Sequence, residues 1–244
     1  MQFSVIIPTY NEEKYIEQCL RSIHHQNVDR SEFEIIVSDG ASSDKTCMIA
    51  EKLADRIVVN KKRGASVQRN YGAQQAQGEI FVFIDADTTL DSNFLAALKE
   101  QFIDKKVAAV SGIAFPADGK LPQRFVYRAT YILMQVLHTM NLSLFPAMCV
   151  AYRKQAFKEA GGFREDFTTL EDLDLSKRVS KLGGTKIATR AQAFSSTRRI
   201  HKHLVTTVAY HIFCDIRYLL TGKGPRRYPK VEEIQSWRDL WKSK

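Results

Sequence analysis

The sequence predicts an α/β domain: a mostly parallel sheet with helices on both faces. Three observations point there. Strand-like and helix-like segments alternate through the first half of the chain. The strand-like segments are continuous apolar runs, as expected of strands buried on both faces. Short polar loops separate each run from the helix that follows, which suits right-handed crossovers.

Phe3–Ile7 is the first strand, ended by Pro8. Asn11 is placed to cap a helix whose apolar positions Ile16, Leu20 and Ile23 recur at helical spacing. Glu34–Val37 is a second strand; Ser43 or Asp44 caps a helix through Leu53. Arg56–Val59 is a third strand, followed by a helix over Ala65–Gln77 that Gly78 ends. Ile80–Ile84 is a fourth, fully apolar strand. Asp91 or Ser92 starts a helix through Ile103, and Val107–Phe115 is a fifth strand. The second half is less regular: helices over Phe125–Leu144, Glu171–Leu182 and Leu204–Leu220, and a strand over Ala147–Tyr152. No internal repeat, low-complexity stretch or linker interrupts the chain.

The 244 residues suit one domain with its own core, and 26% charged with 44% hydrophobic residues is a globular balance. The net charge of +9 favours an anionic partner. Basic residues cluster late, at Arg198, Arg199, His201, Lys202 and His203, and again at Lys223, Arg226, Arg227 and Lys230. The four cysteines show no metal or redox spacing and sit among apolar residues, so they read as buried free thiols. Phe3–Ile7 begins without the features of a secretory signal, so a cytoplasmic protein is expected.

In a parallel sheet, ligands bind at the carboxyl ends of the strands. The loops holding Thr9–Glu12, Asp39–Ser43 and Asp85–Thr88 all belong to that edge. Asp85 and Asp87 leave a buried strand one residue apart; a divalent cation would relieve their repulsion, and hard oxygen donors suit Mg²⁺ or Mn²⁺. Turn or capping aspartates are the alternative. Asp39 stands where a carboxylate can accept from a base N–H or a ribose hydroxyl. Glu171-Asp172 opens a helix, where acidic residues suit the dipole; a carboxylate near a cleft can also act as a general base.

Pro8-Thr-Tyr-Asn11-Glu12, Ser38-Asp39-Gly40-Ala-Ser-Ser-Asp44-Lys-Thr46, Asp85-Ala86-Asp87, Gly161-Gly162-Phe163 and Glu171-Asp172 follow in order. The series resembles the family 2 glycosyltransferases of the GT-A fold, over about residues 1–190. The resemblance implies inverting transfer from a nucleotide-diphosphate sugar to an acceptor hydroxyl or phosphate. Carried over by residue, Pro8, Thr9, Tyr10, Glu12 and Asp39 would hold base and ribose. Arg63 and Arg69 would lie near base and phosphates. Asp85 would contact the ribose or support the metal, with Ala86 beside it in the donor site; Asp87 would ligate the metal, and Asp172, beside Glu171, would be the base. Arg198 or Arg199 could bind the diphosphate, and His201 or His203 could add a metal ligand. The Gln-x-x-Arg-Trp segment of processive members has no match, which argues for a single transfer. On this reading residues 1–220 form one domain, with a donor half over 1–115 and an acceptor half over 116–220, followed by a basic tail over 221–244.

The sequence has two rival readings. A sugar nucleotidyltransferase would carry a glycine-rich first loop, and Pro8–Glu12 has no glycine. A non-catalytic binding scaffold would not need Asp172. Acidic groups on the binding edge speak against nucleic acid.

A membrane link has two candidate segments. Phe125, Ala129, Leu133, Val136, Leu137 and Met140 fall on one side of a helix, with Arg124, Arg128, Gln135 and His138 on the other. That apolar side is expected to pack on the sheet; a helix lying in a membrane interface is the alternative. Residues 204–230 join an apolar helix to a basic run, which suits either a core-covering helix or peripheral contact at the inner membrane face, where a lipid-linked acceptor would be met.

Overall fold

The computed structural model describes residues 2–118, 121–140, 142–167 and 169–198, and near the end 213–215, 217–218 and 221–222. The elements run β1 (Phe3–Thr9), α1 (Ile16–His24), β2 (Phe33–Asp39), α2 (Thr46–Ala50), β3 (Arg56–Val59), α3 (Ala65–Gln75), β4 (Ile80–Phe83) and β5 (Thr88–Leu90). Then follow α4 (Phe94–Phe102), β6 (Val107–Pro116), α5 (Leu121–Thr139), β7 (Val150–Arg153), α6 (Lys154–Glu159), α7 (Glu171–Val179) and β8 (Gly184–Ser195).

One sheet has the order β3-β2-β1-β4-β7-β6-β8-β5. β3, β2, β1 and β4 pair in parallel, as do β6 and β8; β7 is antiparallel to both β4 and β6, and β5 to β8. Six described strands therefore share one direction, and β5 and β7 oppose it. The carboxyl ends of β1, β2, β4, β6 and β8 consequently share one edge.

Alternation along the strands feeds two cores. Val5 and Ile7, with Ile35, Val37 and Val82, pack with Ile16, Leu20, Leu95 and Leu98 of α1 and α4 on one face. Ile6, Ile36, Phe81 and Phe83 pack with Ala73, Phe157, Phe163 and Leu175 on the other. Period-two side-chain alternation with both faces covered explains why these strands read as unbroken apolar runs.

Several expectations are corrected. Asn11 does not cap α1; its φ is 54° and its side chain accepts from the Ser43 N–H instead. The predicted helix over Phe125–Leu144 spans Leu121–Thr139. Its apolar side does not face the sheet: Phe125, Leu133, Val136 and Met140 are exposed, and Gln123 and Met134 are its buried residues. Ala147–Cys149 is a 3-10 turn before β7. β5, α6 and β8 were not anticipated. The predicted helix over 204–220 lies largely outside the described residues; within it, Cys214 and Tyr218 are buried with Phe167 and Leu170. The basic run over 223–230 lies outside the described residues. Cys19 and Cys149 are buried unbridged thiols, and Cys47 is half-buried.

Candidate functional site at the carboxyl edge of the sheet

The edge is assembled loop by loop. β1 ends at Thr9, whose hydroxyl donates to Asp39 Oδ1 at 2.8 Å. Asp39, at the end of β2, also accepts from the Ser42 hydroxyl (2.6 Å) and the Ser42 N–H (2.7 Å). It is fully buried, so its carboxylate organises the loop from beneath. Asn11 locks the same two loops by accepting from the Ser43 N–H, while its own N–H donates to Ser42. On the surface beside them, the Arg63 guanidinium lies 4.5 Å above the Tyr10 ring. Tyr10 is 40% exposed, so this pair offers a flat cationic and aromatic surface to a ligand.

β4 delivers Asp85 and Asp87. Asp85 accepts from Arg69 at 2.8 Å, and the same guanidinium donates to Glu171 at 2.9 Å. Arg69 is only 4% exposed and lies 5.4 Å over the Phe163 ring. It ties the end of β4 to the start of α7. The two carboxylates hold the guanidinium charged despite its burial, moving its pKa upward. Next to Arg69, Asn70 holds the Phe163 backbone through its amide in both directions.

Asp87 accepts from Arg198 Nε at 2.9 Å, and Arg198 Nη2 donates to Glu12 at 2.6 Å. Arg198 also lies 4.4 Å over the Tyr15 ring. Residues 186 positions apart, Glu12 and Arg198, thus meet over Asp87. Asp118, beyond the end of β6, steadies the approach to Arg198 by accepting from the Thr197 N–H.

Asp172 lies in the first turn of α7. Its Oδ2 accepts from the Ala147 N–H at 3.0 Å and its Oδ1 from the Leu173 N–H at 2.9 Å. Burial, then repulsion from Glu171, pushes its pKa up to about 7. A carboxyl so poised can exchange a proton near neutral pH. The residue before α7, Leu170, has a φ of 69°; Asn11 and Ala41 are the other described non-glycine residues with positive φ. All three strained positions flank this edge, a common place for such strain.

The structure therefore gathers Thr9, Tyr10, Glu12, Arg63, Asp85, Asp87, Glu171, Asp172 and Arg198 along one edge. Ala86 is buried between the two aspartates. Arg199, His201 and His203 lie outside the described residues. Tyr15, Asp118 and the Ala147 backbone are contributors that the sequence reading missed. Asp118 had no visible partner because β8 was not predicted. Asp87 and Glu12, which face each other across Arg198, offer the carboxylate oxygens that a hard divalent cation takes, and Glu12 Oε2 is buried without a partner. Among the described residues no group of three or more His, Cys, Asp or Glu is arranged to hold a metal unaided. A depression of about 340 Å³ lined by Gln101, His138 and Lys186 contains none of these residues.

The profile of the family described as Glycosyl transferase family 2 matches residues 4–161. A poly(ribitol-phosphate) beta-N-acetylglucosaminyltransferase, TarS, of Staphylococcus aureus is 34% identical over 123 residues, covering 46% of this chain and 22% of the relative. A GalNAc(5)-diNAcBac-PP-undecaprenol beta-1,3-glucosyltransferase of Campylobacter jejuni is 34% identical over 131 residues, covering 51% and 42%. The chain thus spans less than half the length of either relative. The solved mannosyltransferase PcManGT of Pyrobaculum calidifontis, in complex with GDP-Man and Mn²⁺, superposes with a TM-score of 0.74 at 25% identity, over 92% of this chain and 66% of that one. The architecture is the GT-A type that the motifs implied. With more than half of its length matched by the family profile and its acidic loops on the predicted edge, the chain belongs to glycosyl transferase family 2.

Proposed function

We propose that the protein transfers a single sugar, with inversion, from a nucleotide-diphosphate sugar to an acceptor hydroxyl or phosphate. The observation that carries the reading is the Arg69 bridge. It fixes the carboxylate at the end of β4 and the acidic start of α7 on a single buried guanidinium, so the donor side and the proposed base are held in register.

Tyr10 and Arg63 provide the surface against which the base packs. Pro8, Thr9 and the buried Asp39 set that loop, and Glu12 and Arg198 close its far side. Asp87, with Asp85 and Ala86 beside it, would hold Mg²⁺ or Mn²⁺. When bound, the ion would offset negative charge on the departing diphosphate. The solved relative with GDP-Man and Mn²⁺ supports that choice. Arg198 pairs with Asp87, so it can turn from the carboxylate to a diphosphate oxygen when the donor arrives.

Asp172 takes the acceptor proton. Its oxygens are aimed by two backbone N–H groups, and its raised pKa keeps it basic enough to accept a proton near pH 7. Glu171, held by Arg69, lies beside it and adds to that upward shift. The undecaprenol-linked acceptor in the name of one relative supports a lipid-linked acceptor. The test is a panel of UDP-, GDP- and dTDP-sugars assayed for nucleoside diphosphate release. Release that requires Asp87 and Asp172 is expected. Pyrophosphate release, or full activity of Asp172→Asn, would overturn the reading.

A further inference from the structure

α5 presents an apolar stripe to solvent. Leu121, Phe125, Ile132, Leu133 and Val136, and Met140 in the turn that follows, are 81, 74, 52, 54, 50 and 64% exposed. At 3.6 residues per turn they fall within a sector of roughly 120°. The buried residues of the helix, Gln123 and Met134, lie on the opposite side. The helix is therefore amphipathic with its apolar side outward, the reverse of a core-packed helix. An apolar area of this extent on a protein surface marks an interaction site.

We propose that α5 docks this protein on an anionic lipid bilayer, lying in the interface with its apolar stripe among the acyl chains. Charge selects the occupant. Arg124 and Arg128 are exposed along one margin of the stripe, and the sequence contains no Asp or Glu between Asp118 and Glu159. A second copy would bring arginines towards arginines with no acid on the helix to neutralise them. Anionic headgroups neutralise them directly, while the stripe enters the hydrocarbon boundary. No described helix is long and apolar enough to cross a membrane, so α5 would lie on the surface. The helix starts just beyond the carboxyl end of β6, on the edge that carries Asp87 and Asp172. Docking would thus hold that edge near the headgroups and suit a lipid-linked acceptor. This consequence rests on the transfer reading; the docking does not.

The test is co-sedimentation of the full chain with vesicles of phosphatidylcholine alone or mixed with phosphatidylglycerol. Phe125→Gln/Leu133→Gln and Arg124→Gln/Arg128→Gln are compared with the parent, with melting curves to confirm folding. The parent should bind the anionic vesicles and lose binding as salt rises. The apolar pair should weaken binding by at least about tenfold. The arginine pair should weaken binding to the anionic vesicles roughly thirtyfold and lower its salt dependence. The proposal is overturned if the parent stays in the supernatant, or if either folded variant binds as the parent does. It is equally overturned if the stripe instead makes a dimer in sedimentation equilibrium that Phe125→Gln/Leu133→Gln dissociates. Because vesicle binding needs no donor, failure here leaves the transfer reading intact.

Discussion

Arg69 is the only described cation in contact with both Asp85 and Glu171, and it has almost no access to water. Removing it would leave two largely buried carboxylates facing each other. Breaking such a pair from one side costs about 3–5 kcal/mol. Arg69→Met should therefore lose about that much in urea unfolding, and a loss below 1 kcal/mol, roughly the worth of an exposed pair, would contradict the bridge. Asp172 makes a prediction in pH. Its pKa stands near 7 in the folded chain against an ordinary 3.8, so the fold favours the protonated carboxyl. That contribution is present in full below about pH 4 and is lost as pH rises through about 7. Asp172→Asn cannot ionise and escapes the loss. The difference in melting temperature, variant minus parent, should grow between pH 5 and pH 8. Transfer by the parent should rise over the same window as the base loses its proton. A flat difference would mean that Asp172 titrates normally. Because Glu171 adjoins it, the observed midpoint belongs to the pair.

At the scale of elements, packing of α3 on the sheet depends on Gly72. A Cβ there would lie 2.6 Å from Ile6 Cγ2 and 3.3 Å from Ser38 Cβ, both fully buried residues of the sheet. Alanine would gain about 1 kcal/mol in helix propensity, but overpacking typically costs 1–3 kcal/mol. With both neighbours fixed, the clash should win. Gly72→Ala should melt lower than the parent, and an unchanged or higher melting temperature would show that α3 can shift away. The central elements were legible because burial on both faces forces unbroken apolar runs, as in Val5-Ile6-Ile7 and Phe81-Val82-Phe83. β8 was not, for the converse reason. Its half near Lys186 and Arg190 is partly solvated, so charges interrupt the pattern. β5 is three residues long and has no periodicity to read. In α5 the period was plain, but periodicity says only that a helix has two sides. Which side the sheet covers depends on where β6 and β7 lie, and that is tertiary information.

At the scale of the whole molecule, the site exists only when the sheet is complete. Glu12 leaves the first strand and Arg198 follows the last, and they meet over Asp87 through strands that are not neighbours in sequence. The acidic motifs of the first half were readable because each sits at the end of an apolar run, and Glu171-Asp172 because it opens a helix. The resemblance placed Arg69 and Arg198 at the donor side, but their pairing with Asp85, Glu171, Asp87 and Glu12 was not readable, since pairing across the fold leaves no local signal. A ligand that joins these loops binds the native chain and not the unfolded one, so it must raise the melting temperature. At a hundredfold excess over its dissociation constant, a matching nucleotide-sugar with Mn²⁺ adds about 2.7 kcal/mol. For a chain of this size that corresponds to roughly 5–10 °C. Asp87→Ala should abolish the part of the shift that requires the metal. Arg198→Met should behave differently. Without the guanidinium, Asp87 and Glu12 repel each other, so the free protein should melt below the parent. Mn²⁺ added alone should then raise the melting temperature of Arg198→Met by more than that of the parent, because the cation no longer competes with an arginine for Asp87. An equal shift in the two proteins would place the ion away from Asp87 and leave Arg198 a purely structural clamp.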